Sequence, residues 1–274
     1  MAFSDFHVHT VFSDGTGTVN ACVTAAREKG LFSLGLSDHS YTAFDLTYCI
    51  RSEEDILLYE KNVREAQKIA REEQNFPVYL GIELDYGSPK DKYAHYDYTI
   101  GSVHYIFKND AFFPIDSGLP LQQAGIDKYF GGDKLEFAKT YFDHVVKHAE
   151  KNRPTFMGHL DLLTKYSSID EENTAYRHIV HEAIAEIVRY VPTFEVSAGP
   201  MIRGLKTTPY PNPQFLSVIK RYGGKVILSS DAHAPDKIAY EFPTLLALVK
   251  TAGFEKVSRF EAGRLVEDDI DTLQ

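Results

Sequence analysis

The sequence predicts an α/β protein whose parallel strands form a barrel, and three observations lead there. Strand-like and helix-like segments alternate along the chain, which implies a parallel sheet with right-handed crossovers. Seven or eight such units fall within 274 residues, a number that suits a barrel better than an open sheet. Polar residues close nearly every proposed strand, as at the C-terminal face of a barrel, where active sites sit.

The elements follow in order. Residues 3–8 are strand-like. Thr18 is placed to cap a helix with Val19, Cys22, Val23 and Ala26 on one face, and Gly30 ends it. Residues 31–36 are the second strand, followed by a loop with Tyr41, Phe44 and Tyr48. Ser52 opens a longer helix, with Asp55 three residues on and Ile56, Tyr59, Val63, Ala66 and Ala70 as its core face. Residues 78–83 and 98–102 are the third and fourth strands. Residues 107–134 form a long connection rich in Asp, Gly, Pro and aromatics. A connection of that length in a compact domain is usually functional or disordered, and its aromatics favour a substrate-covering lid. The chain therefore reads as a single catalytic domain, 1–274, with a lid insertion at about 107–134. Asp133 caps the next helix, and residues 155–158 are the fifth strand. A helix over about 171–190 precedes the sixth strand, 193–196. Pro213 starts a helix that ends at Gly223 and Gly224, and residues 225–229 are the seventh strand. A helix over about 237–252, a short strand at 256–260 and an acidic surface tail complete the chain.

Composition narrows the possible functions. A hydrophobic fraction of 43% suits a globular protein with a sizeable core. Nothing approaches the roughly 20 apolar residues that span a bilayer. No basic-then-apolar leader opens the chain, so a cytoplasmic protein is expected, with Cys22 and Cys49 as reduced thiols. A net charge of −10 argues against nucleic acid as the main partner. It leaves room for a small anionic substrate, because bound cations reverse a local field.

The chemistry begins at His7 and His9. Two histidines two apart on a strand point to one face and can close on one metal ion. Alone, the pair could equally be two surface histidines. The rest of the chain repeats the pattern. Asp14 lies just beyond strand one, and strand two ends in Asp38 and His39. Strand three ends in Glu83 and then Asp85, strand four in His104, and strand five in His159 and then Asp161. Strand seven ends in Asp231 and His233. Six of the eleven histidines thus lie at strand exits, which scattered loop histidines would not do. Imidazole and carboxylate together suit zinc, iron or manganese, and the lack of thiolates argues against a structural zinc site. No G-x-S-x-G nucleophile elbow and no phosphate-binding glycine loop is present, so metal-activated water is the expected chemistry.

These residues resemble the PHP (polymerase and histidinol phosphatase) family. The likeness is carried in family order by His7-Val8-His9-Thr10, Ser13-Asp14-Gly15, Ser37-Asp38-His39, Gly81-Ile82-Glu83, Gly101-Ser102-Val103-His104, Gly158-His159 and Ser230-Asp231-Ala232-His233. It implies a distorted (β/α)7 TIM-like barrel holding three divalent metal ions at the C-terminal ends of the strands. The first ion would take His7, His9, Glu83 and Asp231; the second Glu83, His104 and His159; the third Asp14, His39 and His233. Three carboxylates against three divalent ions leave the site at about +3, attractive to a phosphate monoester. Arg203, after strand six, matches a phosphate-binding arginine of the family and joins Asp231 and His233 as the expected catalytic groups. Lys165 is a second candidate for phosphate contact, although an ordinary solvated lysine is the plainer reading. Asp38 and Asp85 are expected to orient ligands. Asp161 could instead meet a cationic part of the substrate.

The likeness within the family is greatest to the histidinol phosphatases, which implies hydrolysis of L-histidinol phosphate in histidine biosynthesis. Their usual histidine near position 14 is replaced here by Asp14, and Glu195-Val196-Ser197 stands where an asparagine often follows the acidic residue. A PHP phosphoesterase for a nucleotide or sugar phosphate, an amidohydrolase-like metal enzyme, and a metal-binding module without catalysis are the alternatives.

Overall fold

The computed structural model describes residues 2–166 and 168–273. β1 (Ser4–Asp5) leads to α1 (Val19–Glu28), β2 (Ser33–Leu36), α2 (Glu53–Gln74), β3 (Val78–Asp85) and β4 (Tyr98–Ser102). A hairpin of β5 (Tyr105–Lys108) and β6 (Ala111–Pro114) follows, then α3 (Leu119–Phe130) and α4 (Lys134–Asn152). The chain continues through β7 (Phe156–Met157), α5 (Thr174–Ile187), β8 (Thr193–Ser197), α6 (Gly199–Ile202) and α7 (Leu216–Arg221). β9 (Lys225–Ser229), α8 (Phe242–Thr251), β10 (Lys256–Glu261) and β11 (Arg264–Asp269) complete it.

Local chemistry accounts for the helix starts. The Thr18 side chain accepts from Ala21 N, and that of Ser52 accepts from Asp55 N. Asp133 accepts from the backbone of both Leu135 and Glu136. Each cap satisfies backbone donors that the first turn cannot. Val19, Cys22, Val23 and Ala26 on α1 are buried, as are Ile56, Tyr59, Val63, Ala66 and Ala70 on α2, as their spacing requires.

The strands pair in the order β1-β2-β3-β4-β7-β8-β9-β10-β11, parallel throughout except for the last pair. The first seven strands in that order are the distorted (β/α)7 barrel that the sequence predicts. No continuous ladder joins β9 to β1. The two are drawn together just beyond their ends by a parallel bridge between Val8 and Ala232, where His9 N donates to Ala232 O at 2.9 Å. Asp5 stitches the same seam. Its fully buried carboxylate accepts from Ser230 N at 3.1 Å, from the Ser230 hydroxyl and from Ala239 N at 2.9 Å. A buried carboxylate is tolerable because its oxygens are so well supplied with donors.

Phe6, Tyr98, Ile100, Phe156, Ile227 and Phe260 form one small cluster. They come from strands and strand extensions that are not all sheet neighbours, so they meet across the barrel interior. Gly35 and Gly81 make room for this plug. A Cβ at either position would lie 2.3 or 2.2 Å from the Tyr98 side chain.

Two regions depart from expectation. Residues 107–134 are not an irregular connection: they include most of the β5–β6 hairpin and all of α3. The acidic tail is not merely surface, because β11 pairs antiparallel with β10 over six residues. Its alternation was masked by charges, and an edge strand presents one face to water. Among the described residues, no helix is long and apolar enough to cross a membrane. Cys22 and Cys49 are free and buried.

Candidate metal centre

The strand ends deliver the predicted residues to one place. His7 and His9 flank Val8, whose side chain is buried in the core between β1 and the neighbouring helices. Alternation therefore turns both imidazoles to the opposite side. His39 pairs with Glu83 through a parallel backbone bridge, which fixes the second strand end against the third.

Glu83, only 1% exposed, is the centre of the cluster. Its Oε2 lies 2.8 Å from His39 Nδ1, 3.2 Å from His7 Nε2 and 3.5 Å from His9 Nε2. Its Oε1 lies 2.7 Å from His159 Nε2 and 3.4 Å from His104 Nε2. Asp14 Oδ2 is 3.2 Å from His233 Nε2, and its Oδ1 is 3.7 Å from both His9 Nδ1 and His39 Nε2. Asp231 Oδ1 is 3.3 Å from His9 Nε2, and its Oδ2 is 2.9 Å from Arg203 Nη1. Asp231 holds this place with a φ of +53°, a left-handed conformation that aspartate tolerates better than most residues. Gly199 leaves space for it, since a Cβ there would lie 2.3 Å from Asp231 Oδ2.

The donor set fits divalent cations. His7 Nε2, both ring nitrogens of His9, His39 Nδ1, His159 Nδ1 and Glu83 Oε2 are buried without a hydrogen-bond partner. His39 Nδ1 and Glu83 Oε2 are only 2.8 Å apart yet lack the alignment of a hydrogen bond. Atoms so crowded and so poorly paired are costly to bury, unless a cation between them supplies the missing partner. Among the described residues, three groups bring their candidate ligand atoms within 4.8 Å of one another: His7, His9 and Glu83; His39, Glu83 and His104; and His9, Asp14, His39 and His233. His9 and His39 thus each lie within reach of two groups, where the family likeness gives each to one.

The titration pattern has the same origin. Burial works to raise the Glu83 carboxyl, but the imidazoles of His39, His7 and His104 outweigh it and hold it well below the usual carboxylate range. Burial, with His233 and His39 close by, lowers His9 to about 3, so its imidazole is neutral. For His39 burial opposes the charge, yet Glu83 and Asp14 push it up to about 9.

Further groups hold the ligands. Asp85 Oδ2 lies 2.9 Å from His104 Nδ1, as expected of a group that orients an imidazole. Asp38 behaves differently from expectation. It accepts from Thr10 N and the Thr10 hydroxyl at 2.9 and 2.7 Å, and from Ser13 N and the Ser13 hydroxyl at 3.0 and 2.5 Å. It shapes the turn between His9 and Asp14, because a residue adjacent to His39 in an extended segment faces the other way. Sequence reasoning missed Glu195, which is 1% exposed. Its Oε1 is 2.5 Å from His7 Nδ1, and its Oε2 accepts from His159 N at 2.6 Å. A carboxylate between Phe194 and Val196 on a strand was the available signal. Asp161 is buried, with one oxygen accepting from Asn212 N at 2.8 Å, and it does not line the cavity above the cluster.

That cavity has a volume of about 260 Å³. Asp14, His39, His104, His159, Asp231 and His233 line it together with Arg203 and Lys165. Arg203 keeps Nη2 within 3.2 Å of the His233 ring. Lys165 is not a solvated surface lysine, since its Nζ lies 3.0 Å from Asp116 Oδ2 at the cavity wall.

Residues 5–197 match the PHP domain. The chain belongs to the PHP family. A probable histidinol-phosphatase of Schizosaccharomyces pombe is 22% identical over 270 residues, spanning 90% of this chain and 85% of the relative. A probable histidinol-phosphatase of Deinococcus radiodurans is 24% identical over 269 residues, spanning 93% and 95%. The crystal structure of a putative histidinol phosphatase from Listeria monocytogenes superposes with a TM-score of 0.75 at 20% identity, covering 88% of this chain and 99% of that one. A histidinol phosphate phosphatase from Lactococcus lactis, complexed with zinc, L-histidinol and phosphate, gives 0.72 at 19% identity, covering 97% and 100%. These two structures share the fold. Family and relatives together make the chain a metal-dependent phosphatase, which sets aside the amidohydrolase-like and non-catalytic alternatives.

Proposed function

We propose that this chain hydrolyses L-histidinol phosphate to L-histidinol and phosphate, a step in histidine biosynthesis. One observation carries the reading: Glu83, flanked by five imidazoles, lies beneath a cavity of about 260 Å³ that Arg203 also enters. The two curated relatives, alike over nine-tenths of this chain, support the particular substrate.

In this reading His7, His9, Glu83 and Asp231 hold one divalent ion, Glu83, His104 and His159 a second, and Asp14, His39 and His233 a third. Zinc, iron or manganese bound there would supply an activated water and neutralise phosphoryl charge. Glu195 and Asp85 hold the Nδ1 sides of His7 and His104, which leaves each Nε2 facing Glu83. Arg203 is steadied through Nη1 by Asp231, and its remaining donors hold phosphate oxygens. Asp231 and His233 frame that contact. Asp116 and Ser117 of the 107–134 insertion line the cavity, which supports reading that insertion as its lid.

The test is phosphate release by metal-reconstituted protein, comparing kcat/KM for L-histidinol phosphate with nucleotide and sugar phosphates. A preference of several orders of magnitude is expected. Weak, even activity across the panel would leave a phosphatase and remove the biosynthetic role. Arg203→Ala should lower kcat/KM about 10- to 100-fold, the worth of a hydrogen bond to a charged group, with the metals retained.

A further inference from the structure

Four carboxylates line the cavity: Asp14, Asp45, Asp116 and Asp231. Three have a basic partner. Asp14 faces the imidazoles of His9, His39 and His233, Asp116 meets Lys165, and Asp231 meets Arg203. Among the described residues Asp45 has only neutral donors. Its Oδ1 accepts from Thr47 N at 2.8 Å and from the Thr47 hydroxyl at 2.6 Å, and its Oδ2 accepts from the Tyr105 hydroxyl. These bonds fix the carboxylate in place without neutralising it. Burial works to raise Asp45, yet the Thr47 and Tyr105 hydroxyls hold it below the usual range.

An aromatic wall joins Asp45 to the cluster. Tyr105 stacks on Tyr48 with ring centroids 5.9 Å apart and planes at 28°. Tyr48 in turn meets His39 edge-on at 4.8 Å. A molecule lying along this wall has cations and metal-ligating groups at one end. At the other end it finds an uncompensated carboxylate beside aromatic faces, a setting that attracts a cation.

We infer that Asp45 is a specificity-determining residue, which selects phosphomonoesters whose alcohol carries an ammonium group. The inference rests on the phosphatase reading of the same cavity. It adds to that reading the charge that the leaving alcohol must bear and the residue that recognises it. L-Histidinol phosphate meets the requirement through its amino group, and so would other amino-alcohol phosphates.

The experiment uses two matched substrate pairs at pH 8 with the full metal-loaded chain. The first pair is L-histidinol phosphate and its desamino analogue, 3-(imidazol-4-yl)propyl phosphate. The second is 5-aminopentyl phosphate and hexyl phosphate. Asp45→Asn keeps the shape and an acceptor for Thr47. It should reduce the preference for the ammonium-bearing member of each pair about tenfold, through KM, a modest loss because Asp45 is partly solvated. The members without an ammonium group should lose less than their ammonium-bearing partners. Unchanged ratios in the variant would overturn the role of Asp45, even with wild-type protein strongly preferring L-histidinol phosphate. Poor wild-type turnover of L-histidinol phosphate, with an ammonium preference in the second pair that Asp45→Asn removes, would retain the inference and discard the biosynthetic substrate. A wild-type protein without ammonium preference in either pair would overturn it outright. Asp45→Glu, which keeps the charge, should retain most of the preference.

Discussion

The strand-exit end of the barrel and the inner face of α4 both bury histidines, and they treat them in opposite ways. On α4 the ring nitrogens have protein partners. His148 Nε2 donates to Leu84 O at 2.7 Å, and its Nδ1 accepts from Asn152 at 2.8 Å. His144 Nδ1 lies 2.7 Å from Thr140 O, and its Nε2 accepts from Phe107 N at 3.2 Å. At the strand exits, five buried imidazole nitrogens on His7, His9, His39 and His159 have no hydrogen-bond partner. Burial therefore does not separate a structural histidine from a candidate ligand. The completeness of their hydrogen bonding distinguishes these two sets, because a cluster of unsatisfied buried nitrogens is costly unless another group completes it.

The largest break in this comparison should come from the carboxylate shared by the most imidazoles. Glu83→Ala, and His9→Ala beside it, should bring turnover to background and lower metal content measured by mass spectrometry. An unchanged rate in either variant would remove the proposed centre.

A smaller effect should come one layer out. Glu195→Gln keeps the shape and loses the charge that holds His7 Nδ1. Metal affinity or activity should fall about 10- to 100-fold, as when a group that orients a metal ligand is lost. Metal titration of the variant at full affinity would show that Glu195 only packs.

The α4 histidines should give the smallest effect, and on stability alone. His148→Ala leaves Leu84 O and Asn152 without their partner, and should cost about 1–3 kcal/mol in urea melts. Metal content should not change. Burial holds His144 below the usual histidine range. The unfolded chain then binds more protons than the native one below about pH 6.5, so stability is present above that pH and is lost as pH falls. His144→Gln should flatten that slope between pH 7 and 5. An unaltered slope would assign it to other groups.

Much of the site was legible because it is built by local rules. An H-x-H pair on a strand must share a face, and the C-terminal ends of parallel strands must share one end of a barrel. Those two facts place His7, His9, His39, Glu83, His104, His159, Asp231 and His233 together before any coordinate is seen. The 105–130 segment was less legible because its hairpin and helix are short and sit among Gly, Asp and Pro, whose local preference is for turns. The terminal hairpin was hidden in the same way by the charges of β11.

By itself the sequence determined the helix starts at Thr18, Ser52 and Asp133, the apolar faces of α1 and α2, and the residue types of the cluster. Each of these depends on neighbours within about one helical turn or on the alternation of a strand. Only the tertiary structure decided that Glu195 grips His7, 188 residues away, that Asp5 closes the seam at Ser230, and that Asp45 meets only neutral donors among the described residues. These are pairings between distant segments. Spacing along a chain cannot specify which charge will stand opposite which once the barrel has brought its strand ends together.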